Sequence, residues 1–247
     1  MGKIRLFLDH PLAKGQPAPL SGGQAHYLSG VMRQVPGDEI AVFNGRDGEW
    51  RARIDAAGKR GGQVTALERT APQMDPPDLW LIFAPIKKAR TDFIVEKAAE
   101  LGAARILPVQ TDHTNAERIR QDRLQAHAVE AAEQCGGTFV PPVDDLTPLA
   151  RLLDGWDAAR RILWADEALA GPAQTLAALP RGPWAILIGP EGGWSEGERA
   201  RLSALPFVTR ISLGPRILRA DTAAVAALAL WQSVLGDWSG AKGQQDI

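Results

Sequence analysis

Four short, largely apolar runs recur along the second two-thirds of this chain, at 79–84, 105–109, 161–165 and 184–188, and a further strand is expected at 208–213. Runs of this length are too short for buried helices and read as strands covered on both faces. Helix-forming stretches separate most of them: 91–101 ended by Gly102, 117–134 closed by Gly136-Gly137, a helix opening at Ser195, and an Ala-rich one over 221–235. Ser195-Glu196-Gly197-Glu198 has the form of a capping box, which starts a helix. Alternation of this kind leaves a mostly parallel sheet with helices on its faces, so the expected fold class is α/β.

The first 72 residues follow another rhythm. Strands are expected at 4–8, 39–43, 49–54 and 63–67, with one short helix over 24–31 after Ser21-Gly22-Gly23. Pro36-Gly37-Asp38 is a turn, and Asn44-Gly45 with Asp47-Gly48 punctuates a hairpin. Several short strands with one helix suggest a small β-barrel. The Pro-rich stretch 71–77 reads as a linker, so two domains are expected, 1–72 and 73–247. The first carries ten Lys/Arg against seven Asp/Glu, although the whole chain has a net charge of −1. A mildly basic part on an acidic body suits docking on nucleic acid, and equally an accidental imbalance.

Two loops concentrate the chemistry. Gly189-Pro190-Glu191-Gly192-Gly193-Trp194-Ser195 follows one apolar run, and Leu213-Gly214-Pro215-Arg216-Ile217-Leu218-Arg219-Ala220-Asp221-Thr222 follows the next. Both read as strand-to-helix turns, and ligands of open α/β sheets bind where such turns share an edge. Read singly, each has a plain explanation. The glycines suit a tight turn, Asp221 suits a helix N-cap, and Arg219 suits a solvated charge. Read together, they offer exposed backbone, an arginine beside a ligand loop, and two carboxylates. The spacing matches neither a dinucleotide fingerprint nor a Walker loop.

Other chemistries are poorly supported. A single cysteine, Cys135, excludes an internal disulfide framework, and it is expected to be a small buried residue at a helix end. No Cys/His cluster has metal-ligand spacing, so no metal is expected. Glu130, Glu133 and Gln134 are expected to be solvated. No run of about 18 apolar residues exists and the first residues lack a signal-like apolar core, so the expected setting is cytoplasmic with no membrane contact.

In order along the chain, the two loops join 92–102, 130–136 and 36–39 in a pattern that resembles the RsmE family of bacterial 16S ribosomal RNA methyltransferases, of the SPOUT superfamily. The resemblance implies a PUA-like barrel, then a parallel-sheet domain with a C-terminal trefoil knot. It implies S-adenosylmethionine as cofactor, methylation of a uridine at N3 within 16S rRNA of the small subunit, and a homodimer. Carried over by motif, the cofactor would be held by Leu187, Gly189, Pro190, Glu191, Gly192 and Gly193 in the first loop. The second would add Leu213, Gly214, Ile217, Leu218 and Thr222. Arg219 would stabilise charge on the uracil, Asp221 or Glu191 would assist proton removal, and Arg5, Arg33 and Arg90 would meet RNA. Gly30, Gly137 and Phe139 stand where such sequences carry basic residues, and 111–115 is atypical. An RNA-binding protein that keeps the cofactor fold without the activity is the alternative class.

Overall fold

The computed structural model describes residues 4–58, 60–116, 118–169 and 176–239. Residues 1–3 and Glu117, which the sequence expectations touch, lie outside them. The chain divides into two compact units. One comprises residues 1–75 with 132–140, the other 76–131 with 141–247.

The first unit is built on a mixed five-stranded sheet in the order β1-β3-β4-β5-β2. Its strands are β1 (Arg5–Phe7), β2 (Pro17–Leu20), β3 (Glu39–Phe43), β4 (Glu49–Gly58) and β5 (Gly61–Ala71). The β1–β3 pair is parallel, the other pairs are antiparallel, and no ladder joins β1 to β2 among the described residues. Three register shifts interrupt the β4–β5 ladder; such irregularities bend long strands around a core. That core includes Leu6, Leu8, Leu28, Ile40, Val42, Ile54 and Val64. The sequence reading misses β2, whose two prolines argue against a strand. It lies at the sheet edge, where a missing donor is tolerated.

The helix expected over 24–31 is instead two pieces. Gly22–His26 forms α1, capped by a reciprocal Ser21–Gln24 box, and Tyr27–Val31 continues as a π-turn. A Cβ on Gly30 would lie 2.7 Å from the ring of the exposed His26, which would have to swing aside. Beyond it Arg33 sits exposed at φ 56°, the one non-glycine residue with positive φ among the described residues.

Gly48 is an enforced glycine, at φ 80° with a hypothetical Cβ 2.3 Å from the Ala71 carbonyl oxygen. Gly48→Ala is therefore expected to cost about 2 kcal/mol or more through backbone strain and overlap. Urea unfolding followed by amide hydrogen exchange of the β4–β5 ladder reads this out, and an unchanged midpoint would refute it.

Three expectations in this unit are corrected. Cys135 is exposed, at the end of a helix whose buried face in the last turn is supplied by Ala131 and Ala132 instead. Glu133 is half-buried and its carboxylate accepts the Phe7 N–H (2.9 Å). Arg5 is no free RNA contact. Its guanidinium donates to the carbonyls of Ala132, Glu133 and Gly137 and to Glu49, and its side chain is only 10% exposed. A cation there satisfies carbonyls that a helix C-terminus leaves unpaired.

The second unit holds a parallel six-stranded sheet in the order β11-β9-β10-β6-β7-β8. The strands are β6 (Leu79–Phe83), β7 (Arg105–Gln110), β8 (Thr147–Pro148), β9 (Arg161–Ala165), β10 (Trp184–Ile188) and β11 (Val208–Ile211). Central β10 is buried along its whole length, as its unbroken apolar sequence requires. The helices are α2 (Lys88–Glu100), α3 (Gln121–Cys135), α4 (Leu149–Asp154), α5 (Glu196–Ala204) and α6 (Ala220–Val234). The capping box at Ser195 forms as its sequence indicates. Buried Ala220, Ala224 and Ala227 let α6 approach closely as it packs on α2 and β10. Gln232 ties the two helix ends together, donating from Nε2 to the Leu101 carbonyl (2.6 Å). Among the described residues no helix is long and apolar enough to cross a membrane.

Candidate active site

Strands β10, β9 and β11 lie side by side and point the same way, so the loops leaving their C-terminal ends open at one edge. Those loops enclose a cavity of about 330 Å³. Gly189, Pro190, Glu191 and Gly193 form one wall, and Leu213, Gly214, Ile217, Leu218 and Arg219 another. A third wall comes from Asp166, Glu167 and Leu169, beyond β9.

The first loop is a turn closed by the Gly193 N–H on the Pro190 carbonyl (3.0 Å). Gly193 has φ 70°, and a Cβ there would lie 2.5 Å from the Glu167 carboxylate. A Cβ on Gly189 would lie 2.7 Å from the indole of Trp194, which is buried edge-on against Trp164. Here the glycines are required by close approach as well as by backbone angle. In the second loop Ser212 Oγ accepts the Gly214 N–H (3.2 Å), and Gly214 has φ 119°.

The carboxylates and arginines are arranged in three ways. Arg219 is the N-cap residue of α6 through its backbone, so Asp221 falls in the first helical turn and is not the cap. Its side chain is exposed and makes no hydrogen bond or ion pair among the described residues. Asp221 accepts the Thr222 N–H (2.9 Å). Arg90, near the start of α2, donates to Glu191 (2.8 Å) and stands 3.7 Å from Asp221. It reaches them because β6, which precedes α2, is the neighbour of β10.

Asp166 is the buried anion of the site, its side chain 0% exposed. It accepts from Arg199 (2.5 Å), Arg210 and the Ala168 N–H (3.0 Å). Burial alone pushes its carboxyl up, but the hydrogen bonds from Arg199, the Ala168 N–H and Arg210, with the charge of Arg199, outweigh this and hold it below the ordinary 3.8. Arg199 also pairs with Glu167. No cluster of three or more His, Cys, Asp or Glu suited to a metal occurs among the described residues.

Three residues expected at the cofactor lie behind or beside the cavity. Leu187 is buried within β10, Gly192 faces His113, and Thr222 is exposed on α6. The sequence reading does not place Asp166 and Glu167 at the cavity or His113 against the first loop, where the structure puts them. The signal for the first two was present, since Asp166-Glu167 directly follows an apolar strand as the other ligand loops do. Nothing in the sequence ties His113 to the glycines.

An open parallel sheet with a glycine-walled cavity at three adjacent strand ends defines an α/β protein with a ligand site at the C-terminal edge of its sheet. The RNA methyltransferase domain profile matches residues 73–232 and the RNA methyltransferase PUA domain profile residues 20–67. The ribosomal RNA small subunit methyltransferase E of Synechocystis is 31% identical over 237 residues, covering 87% of this chain and 73% of that protein. That of Rickettsia conorii is 29% identical over 229 residues, covering 91% and 93%. The crystal structure of the Neisseria gonorrhoeae protein of the same name, bound to S-adenosyl methionine, superposes with a TM-score of 0.87 at 29% identity, covering 96% of this chain and 100% of that one. This chain belongs to the ribosomal RNA small subunit methyltransferase E family.

Proposed function

We propose that this protein transfers the methyl group of S-adenosylmethionine to N3 of a uridine in 16S rRNA of the small ribosomal subunit. The observation that carries the reading is the cavity between the two glycine loops. Its volume is in the usual ~300–1,000 Å³ range of ligand pockets. Its chemistry fits the cofactor. Leu169, Leu213 and Leu218 offer apolar surface, Glu167 and Glu191 offer carboxylates to cationic groups, and glycine backbone admits close approach. Bound there, the cofactor supplies a methyl carbon activated by a sulfonium sulfur.

The remaining work falls to side chains of this chain. Uracil N3 carries a proton at neutral pH, and as it leaves, negative charge spreads onto the flanking carbonyl oxygens. Arg219, exposed at the cavity rim and unpaired among the described residues, stabilises that charge. Glu191 or Asp221 accepts the proton, directly or through water. Arg90 pairs with Glu191 and approaches Asp221, so it orders these carboxylates rather than standing free for RNA. Arg33 remains the exposed basic candidate for RNA contact, while Arg5 is left out because its donors are engaged. N3 is a pairing atom, so the target base is unpaired or flipped when modified.

The same reading includes a trefoil-knotted C-terminus, a homodimer and a cytoplasmic setting. In support of the knot, the chain returns past β9 after β11 at the sheet edge, and α6 packs on β10 and α2, a path that a threaded crossing shares with an ordinary crossover. Ile217, an apolar side chain 80% exposed at the loop tip, suits a partner subunit's cover.

The test is mass spectrometry of 16S rRNA from a deletion strain, with purified protein and cofactor added back to small subunits and to naked RNA. Gain of one methyl at uridine N3 is expected. No gain together with no S-adenosylmethionine binding by calorimetry would overturn the reading.

A further inference from the structure

Behind the first cofactor loop sits a turn that the proposed chemistry does not use. After β7 the chain turns at 111–114, closed by the Thr114 N–H on the Thr111 carbonyl (3.1 Å) and the Thr111 N–H on Thr114 Oγ1 (2.9 Å). This small closed turn sends three contacts across to 192–198. His113 Nδ1 lies 3.0 Å from the Gly192 carbonyl oxygen and 3.2 Å from that of Gly193. Carbonyls only accept, so Nδ1 carries the hydrogen and shares it between them. The Asp112 N–H donates to Glu198 Oε1 (3.0 Å), and Ser195 Oγ donates to Asp112 Oδ2 (2.5 Å). Ser195 and Glu198 are also the capping box that starts α5, so the turn is anchored on the rigid end of a helix. A Cβ on Gly192 would lie 3.0 Å from His113 Cβ, which shows how closely the two backbones fit.

We propose that His113 is a positioning residue that holds the glycine loop in its cofactor-binding shape. Consecutive glycines have the greatest backbone freedom of any residue pair, so Gly192-Gly193 does not hold one shape unaided. The C=O and N–H of one peptide plane point in opposite directions. Pinning the Gly192 carbonyl on His113 therefore fixes the plane whose N–H, that of Gly193, closes the turn onto Pro190. Gly192 faces the brace while Gly193 faces the cavity, so the contact behind the loop sets the surface in front of it. The inference rests on the reading of this loop as the S-adenosylmethionine site.

The experiment compares His113→Ala, His113→Asn and His113→Gln with the wild type. Two readouts are used on the cofactor-free protein, amide hydrogen exchange over 189–195 and S-adenosylmethionine affinity by calorimetry. Asparagine places an amide N–H close to the position of Nδ1, and glutamine places it one bond further out. Loss of one shared hydrogen bond is expected to speed exchange and weaken affinity about 5- to 10-fold in His113→Ala. His113→Asn is expected to restore both and His113→Gln neither. Because His113 is exposed, the melting temperature is expected to stay within about 2 °C. Unchanged loop exchange in His113→Ala, or restoration by glutamine as complete as by asparagine, would overturn the proposal. If the wild type itself bound no S-adenosylmethionine, the cofactor reading would fall and loop exchange alone would decide the brace.

Discussion

Arg219→Ala is expected to lower kcat by about 10²- to 10³-fold while S-adenosylmethionine affinity and thermal stability stay near wild type. The size follows from what a preorganised donor contributes when charge develops on an oxyanion in a partly closed site. The selectivity follows from the position. Arg219 caps α6 with its backbone carbonyl, which accepts the Ala223 N–H (2.7 Å), and its side chain makes no cap bond. Removing the side chain therefore leaves the helix start intact. Single-turnover methylation of small subunits measures the rate, and calorimetry measures the affinity. Arg219→Lys is expected to recover part of the loss, because an ammonium restores charge without the planar fork. Turnover of the alanine variant within about threefold of wild type, less than about 1 kcal/mol, would remove Arg219 from the mechanism.

Asp166→Asn is expected to lower the stability of the methyltransferase unit by about 2–3 kcal/mol at pH 7, below the ~3–5 typical of breaking a fully buried pair. The carboxylate is inaccessible, but its partners Arg199 and Arg210 are 28% and 42% exposed and regain some water when it is neutralised. The asparagine amide nitrogen would also turn a donor toward guanidinium donors. The pH dependence has a definite sign. The folded carboxyl titrates below its ordinary 3.8, so its contribution is fully present above that value and is lost as pH falls through the folded one. Urea midpoints of wild type and Asp166→Asn should therefore differ at pH 7 and converge on acidification below about pH 4. Equal midpoints at pH 7 would show that the buried network is not structural. A lower S-adenosylmethionine affinity is expected to accompany the loss, since Asp166 and Glu167 wall the cavity and share Arg199.

Much of the fold was legible because its signals are local. Largely apolar runs of strand length mark every strand of the parallel sheet except edge strand β11, which mixes Val and Ile with Thr and Arg, and β8, which has two residues and lies in a Pro-rich stretch. The Ser195 box is a four-residue pattern whose two reciprocal hydrogen bonds close within one helical turn. Both glycine loops were visible for the same reason, since glycines beside the end of a strand need no distant partner to be noticed. The break of the 24–31 helix into α1 and a π-turn was not visible, because a one-residue change in hydrogen-bond spacing leaves the apolar pattern of the segment almost unaltered.

What the sequence by itself determined is which segments become strands and helices, and which loops carry glycine, arginine and carboxylate. What only the tertiary structure decided is which of these meet. Arg90 is 101 residues from Glu191, Asp166 is 33 from Arg199, and His113 is about 80 from the glycines it holds. These pairings depend on β6 and β9 both flanking β10, and on β7 carrying the 111–114 turn to the same edge. Strand order is chosen by the burial of whole faces, a sum over the sheet with no signature in any one segment. For that reason the reactive groups could be named from the chain, while their partners became visible only in the fold.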